Sequence, residues 1–237
     1  MTPSAVAPCE VREVAPALPL VPGPLRSGSW IDLQTLQAQR LVRGRKAGGG
    51  QSRIVGLAGF GMRLRTIWMA SLADDPWADW WLLRVHAALE QADAALDALV
   101  AAADTILAKP VGVCLDRAQS VRPLRVPLAF SNPYGYRGAY LLAKFDDTTR
   151  AVLTAEHVAL LDRCVGRRMI QEAGTHVRRA FLAAEGYQRH GVTRQDVRVG
   201  TTAARDARER MGEVPADVLE GRRRAVFAPH RDREPQS

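Results

Sequence analysis

Residues 74–110 read D-D-P-W-A-D-W-W-L-L-R-V-H-A-A-L-E-Q-A-D-A-A-L-D-A-L-V-A-A-A-D-T-I-L-A-K-P, and this stretch decides the fold. Asp74-Asp75-Pro76 predicts a helix start, because a carboxylate caps free amides and proline is tolerated in the first turn. From there Leu82, Val85, Leu89, Ala92, Leu96, Leu99, Ala103 and Ile106 recur at alternating spacings of three and four. That period is a heptad seam along one long helix, expected over 79–107. Glu90, Asp97 and Asp104 form an acidic stripe off the seam, and Pro110 ends the helix. Leu82, Val85, Leu89, Leu96 and Leu99 are expected at a dimer contact. The same seam can instead pack on helices of its own chain.

Upstream of this helix, Ser29 to Gln34 (S-W-I-D-L-Q) alternate apolar and polar, the period of a short strand. Ile31 and Leu33 face one way, and Trp30, Asp32 and Gln34 the other. Thr35 can cap a helix from Leu36 to Lys46 that carries Arg40, Arg43, Arg45 and Lys46. The run Ala47-Gly48-Gly49-Gly50 stops that helix, and Ser52 can cap a second from Arg53 to about Leu72. Gly56, Gly59 and Gly61 match neither a dinucleotide fingerprint nor a phosphate loop and are expected to serve helix packing. Residues 1–27 hold six prolines and are expected to form a disordered arm.

Downstream, Leu124 to Phe130 (L-R-V-P-L-A-F) predicts a second strand, held to a sheet edge by Pro127. A turn follows at 131–135, then helices at about 136–154, 155–163, 166–186 and 194–211, with Thr154 and Thr193 as caps. A short helix at 215–220 precedes a basic tail, Arg222-Arg223-Arg224. The expected fold is mainly α with one or two short β-strands. Its segments are an arm (1–27), a strand–helix–helix element (28–72), the heptad helix (73–109), a strand with a helical core (110–212) and the tail (213–237).

The net charge is +8 with a pI of about 10.1, compatible with a polyanionic partner, although 30 of the 33 basic residues are arginine, a bias that genome composition alone can produce. The distribution is sharper than the total: +6 over 1–72, −6 over 73–108, +3 over 109–160 and +5 over 161–237. Cys9, Cys114 and Cys164 have neither metal-ligand nor redox spacing, and an odd, sparse set suits a reducing compartment. The five histidines show no zinc spacing, and no serine sits in a nucleophile elbow. The paired carboxylates Asp74-Asp75 and Asp146-Asp147 are expected at a helix start and on a solvated helix face. Trp77, Trp80 and Trp81 are expected in a core or at a dimer contact. No run approaches the length of a membrane helix, and residues 1–30 lack the pattern of a secretory leader. The expectation is a cytoplasmic, non-enzymatic protein without metal, cofactor or membrane association.

The strand–helix–helix of 28–72 has a nucleic-acid mechanism. In β-ribbon readers two chains pair short strands and insert the ribbon into the major groove of duplex DNA. Here Trp30, Asp32 and Gln34 would face base edges. Arg40, Arg43, Arg45 and Lys46, with amides near Ser52 and Arg53, would hold phosphates.

Three stretches carry a family resemblance: D-D-P-W-A-D-W-W-L-L-R-V (74–85), V-P-L-A-F-S-N-P-Y-G-Y-R-G-A-Y-L-L-A (126–143) and G-Y-Q-R-H-G-V-T-R-Q-D-V-R (186–198). Together the sequence resembles the integrating conjugative element proteins grouped with the AcaB-like transcriptional regulators. That resemblance implies a role on a conjugative mobile element and a ribbon–helix–helix-like fold that regulates transcription. The ribbon strand could be 29–34 or 124–130. The leading expectation is a homodimeric DNA-binding regulator. The alternative is an adaptor of the conjugative transfer or maintenance machinery, holding a basic protein partner on the acidic heptad helix.

Overall fold

The computed structural model describes residues 28–50 and 52–230. The expected N-terminal arm and the end of the tail lie outside the described residues. The spine is the heptad helix α3 (Pro76–Leu107), whose first amides, those of Trp77 and Ala78, are capped by Asp75 Oδ1. The other helices are α1 (Leu36–Arg43), α2 (Leu57–Leu72), α4 (Pro133–His157), α5 (Arg163–Leu182), α6 (Arg194–Val199), α7 (Thr202–Met211) and α8 (Ala216–Leu219). Four short strands complete the described elements: β1 (Trp30–Leu33), β2 (Gly44–Arg45), β3 (Ile54–Val55) and β4 (Leu124–Pro127). The chain is therefore mainly helical, as its periodicities predict.

The seam packs inside the chain. Leu82, Val85, Leu89 and Leu96 are at most 2% exposed, and Leu99 packs partly buried against them. They share one core with Leu141, Leu142 and Phe145 of α4 and Val177 and Phe181 of α5. Ala103 and Leu107 extend the seam into a smaller cluster with Ala151, Val152 and Ala155 of α4. The expected dimer contact at Leu82, Val85, Leu89, Leu96 and Leu99 is corrected accordingly: these side chains are not a surface of the folded protomer. A heptad stripe specifies a partner helix but not the chain that supplies it.

The pairing of α3 with α4 is parallel. Arg137 meets Glu90 and Lys144 meets Asp97, each pair 47 residues apart and one heptad further along both helices. Parallel neighbours need a long return, which residues 108–132 supply, and β4 is laid down on that return.

That return supplies the partner of β1. The two strands are antiparallel, with Trp30 opposite Pro127, Ile31 opposite Val126, Asp32 opposite Arg125 and Leu33 opposite Leu124. The two stretches that compete in the sequence as ribbon strands are thus the two halves of one ribbon made within the chain.

Local boundaries moved mainly where glycine conformation and backbone approach compete with helix propensity. Helix α1 ends at Arg43, three residues early, because Gly44 at φ 71° turns the chain into a β2–β3 hairpin. The backbones there touch: a Cβ on Gly44 would sit 2.2 Å from the Ile54 carbonyl oxygen, and one on Gly56 2.3 Å from the Gly44 nitrogen. Only glycine fits such an approach. Ser52 and Arg53 therefore lie on the hairpin, and α2 starts at Leu57 after Gly56. The break expected at Thr154 is absent: α4 runs through it to His157, the Thr154 hydroxyl donating to the Arg150 carbonyl instead of capping, and residues 158–162, expected in a helix of their own, are not helical. The helix expected at 194–211 is split by Gly200 at φ 75°.

Candidate nucleic-acid interface

Helix α1 is held down on one side and open on the other. Thr35 caps it, and Leu33, Ala38 and Leu41 are buried beneath it. The clamp is Asp146 of α4, a buried carboxylate that accepts from the Gln34 amide at 2.8 Å, the Thr35 amide at 2.8 Å and the Thr35 hydroxyl at 2.6 Å. The expectation of a solvated face for Asp146 is overturned. Its spacing of four from Leu142 and three from Thr149 puts an acid on the apolar stripe of α4, and that was the signal available in the sequence.

The open side of α1 presents Leu36, Arg40 and Arg43, one helical stripe, and the hairpin continues it with exposed Arg45 and Lys46. The Arg45 guanidinium donates to the Ser52 carbonyl at 3.0 Å and braces the hairpin. The nearby ion pairs join Arg53 and Arg63 to Glu185 and Arg125 to Asp32. Among the described residues no carboxylate pairs with Arg40, Arg43, Arg45 or Lys46. Arg178 of α5 adds to the excess: burial lowers its pKa, and the Arg45 charge lowers it further.

The ribbon carries less free chemistry than its sequence promises. Asp32 and Arg125 form a two-pronged pair, both bonds 2.8 Å, and Arg125 holds the Asp32 carboxyl below the usual carboxylate range. The same guanidinium lies 5.1 Å over the ring of Trp30, which is 53% exposed. Gln34 does not continue the outward face of β1. It sits half-buried at the strand–helix corner, its side-chain oxygen accepting from the Ser120 amide at 3.0 Å. The role of Gln34 as a base reader is corrected for that reason. Ser52 and Arg53 offer no helix N-terminus to a phosphate, since α2 starts later, and Arg53 is drawn 3.7 Å from Glu185.

The acids of the α3 stripe are paired within the chain. Arg137 takes Glu90, Lys144 takes Asp93 at 2.6 Å and Asp97 at 2.7 Å, and Arg117 takes Asp104 at 2.5 Å. The acids on which a basic partner was expected each meet one of the chain's own cations.

The three distinctive stretches meet, and they do structural work. Tyr187 donates to Asp75 at 2.7 Å, and Arg194 reaches Asp79 at 2.7 Å and Asp74 at 2.6 Å. Asp79 is fully buried and also takes Arg224 at 3.2 Å. Burial raises the pKa of Asp75, and burial with the adjoining Asp75 carboxylate raises that of Tyr187. Trp77 and Trp81 are buried, donating to the carbonyls of Gly212 and Glu185. His86 packs edge-on against Tyr134 of the middle stretch. Among the described residues no three His, Cys, Asp or Glu are grouped to hold a metal, and no helix is long and apolar enough to cross a membrane.

Comparison with known proteins agrees with this architecture. No curated protein matches the chain. Among solved structures the chain is similar to the crystal structure of selenomethionine-containing AcaB from uropathogenic E. coli, with a TM-score of 0.56. The two are 14% identical, over 82% of this chain and 96% of that one, a likeness of fold. The family model described as "Transcriptional regulator AcaB" matches residues 21–231. A match over that much of the chain, on a helical core with a short ribbon, places this protein in the AcaB family of transcriptional regulators.

Proposed function

We propose that this AcaB-family regulator is a non-enzymatic, cytoplasmic protein of an integrating conjugative element that binds duplex DNA as a dimer. The observation that carries the reading is the exposed stripe of Arg40, Arg43, Arg45 and Lys46, which has no acid partners among the described residues. A cation without an acid partner is free to replace counterions on a phosphate backbone, and affinity then falls steeply with salt. The adjoining ribbon contributes through Trp30 and Arg125, whose positive charge Asp32 balances. The stripe sets affinity and position, and base readout falls to the ribbon face. The dimer contact uses a surface other than the buried seam.

The test is an electrophoretic shift with duplex DNA from the host element at low salt. Binding that weakens with salt, and is lost when Arg43, Arg45 and Lys46 are changed together to Ala, supports the reading. Absence of any duplex complex at low salt ends it. The adaptor reading has less support, since the acids that motivated it are paired within the chain.

A further inference from the structure

The basic stripe also borders a cleft of about 670 Å³, within the range of small-molecule sites. Arg40, Arg43 and Arg45 line it together with Leu36, Ile54 and Leu124. Leu36 is 57% and Leu124 40% exposed, so hydrocarbon is left open to water in a cleft that arginines also line. Duplex phosphates can satisfy the arginines, but a convex polyanion leaves this concave apolar surface uncovered. A ligand that satisfies both carries an anionic head on a hydrocarbon body. Burial of such a body and charge-assisted hydrogen bonds to its head add in one site.

We propose that this cleft is an effector site for an amphipathic anion, its head held by Arg40, Arg43 and Arg45 and its body laid on Leu36, Ile54 and Leu124. Occupancy takes the arginines away from DNA, which makes the anion a releasing ligand. That last step rests on the proposed DNA reading; binding of the anion does not.

The experiment is calorimetric titration of the full chain with decanoate below micelle formation, beside butanoate, which has the charge without the body, and decanol, which has the body without the charge. Decanoate is expected to saturate one site per chain, with both controls weaker by about tenfold or more. Arg43→Gln is expected to weaken decanoate about tenfold, the loss of one charge-assisted bond. Leu124→Thr should weaken it less, and an unchanged melting temperature shows that either exposed-site variant is folded. No saturable decanoate binding, or binding indifferent to both variants, overturns the proposal. Self-association that Leu124→Thr abolishes, without decanoate binding, gives the face to a second copy and also overturns it. In the shift assay decanoate should release duplex DNA. If decanoate binds and duplex never does, the effector site stands and the DNA reading falls. If duplex binds and decanoate does not, the reverse holds.

Discussion

The α3–α4 layer and the α1–hairpin layer handle charge in opposite ways. Along α3 every acid of the stripe meets a cation one helix or loop away, and the apolar seam beneath is closed. Along α1 and the start of the hairpin Arg40, Arg43, Arg45 and Lys46 meet no acid among the described residues, and leucines stay exposed beside them. Paired charge over a closed seam is the mark of a scaffold. Unpaired charge beside open hydrocarbon is a surface kept for something outside the chain. The contrast can be broken or sharpened by substitutions on either side.

The largest effects belong to the scaffold. Leu96→Ala opens a cavity at a fully buried position and is expected to cost about 3 kcal/mol in urea unfolding. A dimer whose contact was the seam would instead lose self-association at little cost to the protomer. Asp146→Ala strands the amides of Gln34 and Thr35 in the interior and is expected to cost about 2 kcal/mol. Hydrogen exchange should report that loss first at the start of α1, since Asp146 is what fixes the basic helix to the core.

The next effect is a pH dependence. Asp75 has its folded pKa raised from the ordinary 3.8, chiefly by burial. Between the unfolded and the folded value the folded chain holds the extra proton, so this group's contribution is present at low pH and is lost as pH rises through the folded value. Asp75→Asn keeps the cap oxygen and removes the titration. The stability difference between variant and parent should grow in the variant's favour as pH rises from the ordinary carboxylate range through the folded value. A difference independent of pH contradicts the raised pKa. The smallest effect is expected at Asp97→Asn, an exposed pair worth at most about 0.5 kcal/mol.

Much of this layout was legible in the sequence. The heptad period gave α3, Asp75 and Pro76 its start, Thr35 and Thr193 their caps, and the alternation at 29–34 a strand. What escaped is what only a second segment can decide. The seam does not say which chain covers it. The two candidate strands carry no mark that they pair with each other. The acids on α3 look like a free surface until Arg137, Lys144 and Arg117 arrive from elsewhere in the chain. The misplaced helix boundaries at 46 and 53 share one cause. Gly44 and Gly56 bring two backbones together, and hairpin hydrogen bonds then displace helical ones.

The candidate interface follows the same rule. Arg40 and Arg43 could be placed on one helical stripe from the sequence, whereas Arg45 and Lys46, expected on the same helix, follow it on the hairpin that begins at Gly44. Gln34 could not be placed, because the Ser120 amide that occupies its side chain lies 86 residues away. Asp146 was visible only as an acid out of place on an apolar stripe.

The central claim is that the α1–hairpin stripe is kept unpaired for duplex DNA. It is tested most directly by the salt dependence of duplex binding for the parent chain and for the variant with Arg43, Arg45 and Lys46 changed to Ala. The logarithmic slope of affinity against salt is expected to become shallower by about 2–3 in the variant, roughly one counterion per lost cation. Equal slopes for the two proteins would contradict it.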